Sequence, residues 1–444
     1  MDKAMGVTRR LFLNASWLFG GKTASGILAA IQTVVVARML GVTDYGLLAL
    51  VVAYVDILNQ FFDFRVWETA TKYIGTFWVV GEKDKARSMI KLSYIIDISS
   101  GVLAFLITVV TAGIASRYLI HSYEAYPLIC IYALSLLIDT ANSTSDAILR
   151  VFDRFKWIAF IASLSGFIKL ALVSTTLYLG MGIKGVLFSY IAASFLGFSI
   201  RLWAVSTTLR ENRIERWRNA DLGLIKDQWK GIAWFLGNTS LTATIKMASD
   251  NYLGVLLLGH FSGKEAAAYY KVAKSSLRIV TRIVDPLREA IYPELVKMFS
   301  TGAMGDFKRL LKSTTKNLSK VVVPMVVFFL VFSDPLIEFV FGERYLPSSN
   351  ALRIITLAAL ISQVTFWTGP ALLAFGKVGL KNVISIICTA VYVGCLFLLI
   401  PRYSYLGAAF AFLVYYIVSL IFSVWVMTSL LRRRKERLKV QSTY

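Results

Sequence analysis

Ala266–Pro293 reads AAAYYKVAKSSLRIVTRIVDPLREAIYP, long enough to cross a bilayer at roughly 1.5 Å per helical residue. It carries Lys271, Lys274, Arg278 and Arg282. At about 100° per residue these fall near 0°, −60°, −20° and +20°, one narrow basic stripe among Ala, Val, Ile, Leu and Tyr. Each base facing mid-bilayer lipid costs roughly 2.5–3.5 kcal/mol, so four cost on the order of 10 kcal/mol. The stripe is therefore expected to face a wet lumen inside a helical membrane protein, and a negatively charged cargo follows from its sign.

Composition agrees. The 444 residues are 57% hydrophobic and only 17% charged, against about 25% charged in soluble proteins. Apolar runs of helical length recur, and the alternating ten-residue strands of an outer-membrane barrel are absent. The fold class expected is an all-α polytopic membrane protein. Leu11–Val36 is too long for a cleavable signal and no A-x-A site follows it, so it is expected to remain as the first span.

Twelve spans are predicted, at 11–36, 45–64, 92–115, 125–149, 157–179, 183–205, 231–258, 266–290, 318–340, 351–375, 379–400 and 405–431. Loops then alternate sides, and one side carries about 33 Lys/Arg against seven on the other. The positive-inside rule places both termini in the cytoplasm of a multi-pass protein of the cell inner (plasma) membrane. It also explains the net charge of +22 without nucleic acid. The basic tail 432–444, with Arg432-Arg433-Arg434-Lys435, is read as an anchor on anionic membrane lipids.

Two halves repeat. Trp17-Leu-Phe-Gly20 opens the first span, which ends at Leu40-Gly41; Trp234-Phe-Leu-Gly237 opens the seventh, which ends at Leu258-Gly259. Later spans superpose at an offset near 222, with Gly185 on Gly407, Arg154 on Gly376 and Asp63 on Asp285. Six spans per half keep both halves the same way up, which implies a pseudo-two-fold along the membrane normal. The domains expected are a six-helix lobe over 1–205, a cytoplasmic linker and hinge over 206–230, and a second six-helix lobe over 231–431. Loop 81–91 is read as a short interfacial helix.

Polar residues inside spans are expensive and mark function. Span 2 holds Asp56, Asn59, Gln60 and Asp63 at i, i+3, i+4 and i+7, an acidic face where the repeat-related span 8 is basic. Asp56 is read as lining the lumen and Asp63 as a static pair. Lys246 and Asp250, four apart, can pair with each other. Lys22 lies too deep to snorkel. Asp97, Asp139, Asp146 and Lys169 are further intramembrane charges, and a desolvated carboxylate such as Asp139 suits proton coupling. Asp56, Asp139 and Asp250 stand as equal candidates for that role.

Other motifs fail on context. Gly21-Lys22-Thr23 lacks the upstream glycine of a P-loop, and Gly180–Gly185 fits G-x-G-x-x-G without a preceding strand. Two histidines and three scattered cysteines give no metal site. No catalytic constellation is visible, so the chain is not read as an enzyme.

Ala37-Arg-Met-Leu-Gly-Val-Thr-Asp-Tyr-Gly-Leu-Leu-Ala-Leu50, Phe62-Asp-Phe64, Ala70-Thr-Lys-Tyr-Ile74, Tyr269–Pro293 and Phe341-Gly-Glu-Arg-Tyr345 resemble Wzx-type polysaccharide flippases. These belong to the multidrug/oligosaccharidyl-lipid/polysaccharide exporter superfamily. The resemblance implies two six-helix lobes, a basic central cavity, and an undecaprenyl-pyrophosphate-linked oligosaccharide as cargo. Arg65-Val-Trp67-Glu68 departs from it, since relatives often have Gly-Leu there.

The expected function is thus a flippase moving a polyprenyl-pyrophosphate-linked oligosaccharide to the outer leaflet by alternating access. Its cavity would be lined by Lys22, Lys246, Lys271, Lys274, Arg278 and Arg282. Asp56, Asn59, Gln60, Asp139 and Asp250 are candidates for ion coupling or gating. No cofactor is expected beyond a coupling H+ or Na+, and other polysaccharide assembly proteins are possible partners. The alternatives are a multidrug or other lipid-linked precursor exporter of the same superfamily, and behind these a membrane-embedded polysaccharide-assembly enzyme.

Overall fold

The structure is a computed structural model describing residues 2–214, 216–249, 251–277, 291, 294–299, 301 and 303–441. The side chains of 2–15, 18, 241–249, 251, 378 and 431–441 fall outside that description, as do Asp250, Arg278 and Arg282 entirely. Among the described residues every regular element is helical, and nine stretches are long and apolar enough to cross a membrane. The chain divides into two compact units, Met1–Met247 and Ala248–Tyr444.

The first unit contains α1 (Asp2–Leu40), α2 (Val42–Phe62), α3 (Val66–Val80), α4 (Lys83–Ile114), α5 (Ala125–Asp139), α6 (Asn142–Val151), α7 (Phe155–Tyr178) and α8 (Gly182–Glu211). Most of α9 (Trp229–Ser249) also belongs to it. Small residues let α1 and α7 meet closely. A Cβ on Gly21 would lie 2.6 Å from the Ala159 Cα, and one on Gly166 would touch Leu28 and Ser25. Gly21 is thus a packing glycine of the small-residue kind common between membrane helices.

The second unit holds α10 (Asn251–Ser276), α11 (Met304–Val331), α12 (Ser333–Phe341), α13 (Ser348–Val364), α14 (Thr368–Ala374) and α15 (Val378–Gln441). The candidate span Gly379–Leu430 within α15 has 52 residues, about 78 Å of helix and far more than one bilayer core. It is a hairpin. The chain turns at Ser404 (φ 51°, ψ −132°) just after Pro401, and Gly407 packs so tightly on Leu399 that a Cβ would collide with its carbonyl oxygen. Gly407→Ala is expected to destabilise the protein by about 2 kcal/mol through forced displacement of that backbone. A thermal melt in detergent, against wild type, measures it.

The repeat read from sequence reappears in backbone geometry. Gly41 (φ 78°, ψ 177°) breaks the chain between α1 and α2, and Gly263 (φ 86°, ψ 178°) breaks α10 in the same conformation. The pairs Asp153 and Gly376 (φ 57° and 67°) and Gly182 and Ser404 (φ 55° and 51°) recur at nearly the same offset. So do two interrupted helices, α5–α6 and α13–α14. The counterpart of Gly41 is therefore Gly263, which needs the positive φ, and not Gly259.

Two loops expected from hydropathy are something else. Segment 65–91 is mostly α3, whose Val66, Ala70, Ile74 and Phe77 are buried against Met89 and Ile90 of α4 and Ile148 of α6. Residues 83–91 are the first turns of α4 rather than a separate interfacial helix. The α2–α3 break removes Asp63 from the helical face. It caps α2, and its carboxylate accepts the Arg65 N–H at 2.9 Å. Arg65 stands in the left-handed region (φ 48°) and pairs with Glu68 at 2.6 Å. Glycine adopts such a φ without strain, and Arg65 does so at some cost.

Connector 206–230 is fastened to the first unit at several described residues. Its first part is the end of α8, and Ile214 and Ile225 are fully buried in the first unit's core. Trp217 stacks on Tyr94 at 4.8 Å. Three side chains of α4 hold its backbone: Arg87 donates to the Arg213 carbonyl (2.9 Å), Ser88 to Asp221 (2.6 Å) and Lys91 to Ala220 (2.9 Å).

Candidate functional site

In the first unit, charged and polar side chains gather where α5 gives way to α6. A helix interrupted at membrane depth exposes backbone N–H groups that lipid cannot satisfy. The N-cap position, Ala141, has no side chain to offer. Asp97 of α4 supplies the cap from outside. One carboxylate oxygen accepts both the Thr144 N–H (2.8 Å) and its hydroxyl (2.6 Å), in a place where Asp97 is 4% exposed. Negative charge there also suits the positive end of the α6 dipole. Gly101, one turn further along α4, admits Thr140 so closely that a Cβ would overlap its methyl.

The break also aims four polar groups into one patch. Asp139 accepts from the Asn142 amide at 2.8 Å. The Asn142 oxygen accepts from Arg201 of α8 at 2.6 Å, and the same guanidinium pairs with Asp146 at 2.8 Å. Arg201 thus spans two residues of α6 and holds it against α8.

Lys169 of α7 stands beside this network. Its ammonium lies 3.6 Å from the centroid of the Tyr190 ring. Among the described residues no carboxylate comes within ion-pair distance of it, and the charges that bear on it are Asp56 and Asp139. A desolvated cation on an aromatic face gains about 2 kcal/mol, less than the cost of burying it. The two carboxylates must therefore supply much of the remaining stabilisation. The Tyr190 hydroxyl accepts from Gln32 of α1 at 2.8 Å, and its ring meets Tyr132 edge-on at 6.2 Å. The Tyr132 hydroxyl in turn reaches Asp56 of α2 at 3.5 Å. Five long helices contribute to one charge cluster.

Of the coupling candidates, Asp56 and Asp139 fall on this cluster. Asn59 and Gln60 are half-buried on the Asp56 face of α2; Asp250 lies outside the described residues. The cavity candidates are scattered across both units. Lys22 is on an exposed face of α1. Lys271 sits 6.0 Å from the Tyr252 ring, and Lys274 sits 4.2 Å from Phe412 and 5.5 Å from Tyr270. The side chain of Lys246 lies outside the described residues, with Arg278 and Arg282. Tyr190, Tyr132 and Arg201 were not expected. Arg201 was legible as a charge inside span 6, whereas a tyrosine in an apolar run gives no signal.

The fold defines the class first. It is similar to an inward-facing multidrug resistance MATE family transporter of the MOP superfamily (TM-score 0.77, 13% identity, 93% of this chain and 96% of that one). It is also similar to the lipid II flippase MurJ in an inward closed conformation (TM-score 0.69, 15% identity, 92% and 86%). Over residues 35–350 the sequence matches the family described as polysaccharide biosynthesis protein. The chain belongs to that family. Among curated relatives it is 23% identical to the inner membrane protein YghQ of Escherichia coli over 79% of this chain and 97% of the relative. It is 22% identical to the probable low-salt glycan biosynthesis flippase Agl15 of Haloferax volcanii over 84% and 74%.

Proposed function

We propose that this protein is a flippase that carries a polyprenyl-pyrophosphate-linked oligosaccharide from the cytoplasmic to the outer leaflet. In this reading twelve spans form two six-helix lobes about a pseudo-two-fold along the membrane normal, with both termini in the cytoplasm. Lys22, Lys246, Lys271, Lys274, Arg278 and Arg282 line a cationic path for the pyrophosphate and any acidic sugars, while the polyprenyl tail stays in lipid. Rocking of one lobe against the other alternates access. Such motion is driven by an H+ or Na+ gradient acting on Asp56 and Asp139, with Asn59, Gln60 and Asp250 as further gating positions.

The observation that carries the reading is the cluster around Lys169. A static scaffold gains nothing from a desolvated lysine under the influence of two carboxylates in an apolar bundle, whereas a transporter needs groups whose charge can change with its state. A multidrug exporter is the second reading, favoured by the MATE-like fold. Cationic drugs fit poorly beside Lys271 and Lys274. Deleting the gene should make lipid-linked oligosaccharide accumulate on the cytoplasmic leaflet, scored by its protection from a membrane-impermeant sugar-modifying reagent added outside. Unchanged labelling in the null strain, together with a new drug sensitivity, would favour the exporter.

A further inference from the structure

The first turns of α11 carry a second basic surface, separate from the cluster above. Phe307, Leu311, Leu318 and Val322 bury one side of this helix. Lys308, Arg309, Lys312, Lys316 and Lys320 are all exposed. At about 100° per residue the five bases fall within roughly a 120° arc. Among the described residues, only Arg309 of the five has a carboxylate within 4.0 Å, Asp306 at 3.4 Å. The row ends at Lys320, where the apolar segment Val321–Val331 begins.

The repeat supplies an internal comparison. The corresponding turns of α4 carry Lys83, Lys85, Arg87 and Lys91. There Lys85 pairs with Glu82 (3.0 Å) and Arg87 with Asp84 (2.6 Å), while Lys91 donates to the connector. The bases of α4 are mostly satisfied within their own unit; among the described residues, those of α11 mostly have no carboxylate partner. A row of bases beginning where a membrane-spanning run ends lies at headgroup level and just beyond it. At about 1.5 Å per residue Lys308 stands roughly 18 Å from Lys320, so the bases nearest the apolar run feel the surface most and the far end lies within about two Debye lengths of it.

We infer that the Lys308–Lys320 face of α11 docks on the anionic phospholipid headgroups of the membrane. The surface fixes the level of α11 in the bilayer and gathers anionic lipid around the second unit. Each lysine near such a surface contributes roughly fivefold to the association.

The test uses the full-length protein in phosphatidylcholine nanodiscs carrying a small share of spin-labelled phosphatidylglycerol, with no oligosaccharide present. Wild type is expected to immobilise the anionic label in preference to labelled phosphatidylcholine, and to lose that preference as NaCl is raised. K308Q/K312Q/K316Q/K320Q should lower the preference at least about tenfold, and the four-arginine counterpart should keep it. Should the neutral quartet fail to insert, K312Q/K316Q carries the same comparison with a smaller loss. Equal preference in wild type and neutral variant, or none in wild type, overturns the inference. Because no cargo is present, either result leaves the flippase reading standing.

Discussion

Lys169→Met is expected to abolish export while leaving membrane insertion intact. Methionine keeps the length and flexibility of the side chain and removes only the charge. Tyr190 loses the cation 3.6 Å from its ring, and Asp56 and Asp139 lose the positive charge that bears on both. Asp139 keeps Arg201 nearby, so the loss of positive charge falls most heavily on Asp56. The cluster then lacks the cation that bears on both carboxylates, and the alternation of charge that transport requires disappears. A loss of at least about a hundredfold corresponds to roughly 3 kcal/mol. The measurement is surface polysaccharide in a null strain carrying the variant, normalised to the amount of protein in the membrane. Lys169→Arg, which keeps the cation with a bulkier head, should retain partial activity. Export at the wild-type level by Lys169→Met would remove the cluster from the transport cycle.

Asp97→Ala should produce the larger loss of stability. The carboxylate accepts two hydrogen bonds from Thr144, and its removal strands a backbone N–H and a hydroxyl where neither water nor lipid replaces it. Loss of a charged acceptor together with an orphaned buried donor costs about 3 kcal/mol. With unfolding entropy proportional to chain length, that lowers the melting temperature by about 3–6 °C in detergent. Asp97→Asn keeps an acceptor oxygen and should fall about a third as far. A variant that melts with wild type would show that another group caps α6.

Much of this architecture was legible, and the reasons are particular. The apolar runs needed only composition and length. The repeat was visible from the Trp17–Gly20 and Trp234–Gly237 openings and from Gly185 and Gly407, two glycines at which a Cβ would collide with its neighbours. Yet Leu258-Gly259 resembled Leu40-Gly41 closely enough to misplace one turn by four residues, since a dipeptide does not disclose its φ. The α5–α6 break was hidden because Thr140-Ala141 contains neither Pro nor Gly; the break depends on Asp97, far away in sequence. α3 was hidden for the opposite reason. Its Glu68, Thr69, Thr71 and Lys72 lower the hydropathy of a helix that is still buried along one side. Asp56, Asp139 and Lys169 each stood out as intramembrane charges, but that they belong together became apparent only once α2, α5 and α7 were placed.

The fastening of residues 212–228 to α4 matters to anyone who would divide or decorate this molecule. Their polar, arginine-rich composition invites an epitope tag, a protease site or the split point of a two-fragment reporter. Any of these would pull Ile214, Trp217 and Ile225 out of the packing they complete. An amino-terminal fragment meant to fold alone has to be cloned at least through Gln228.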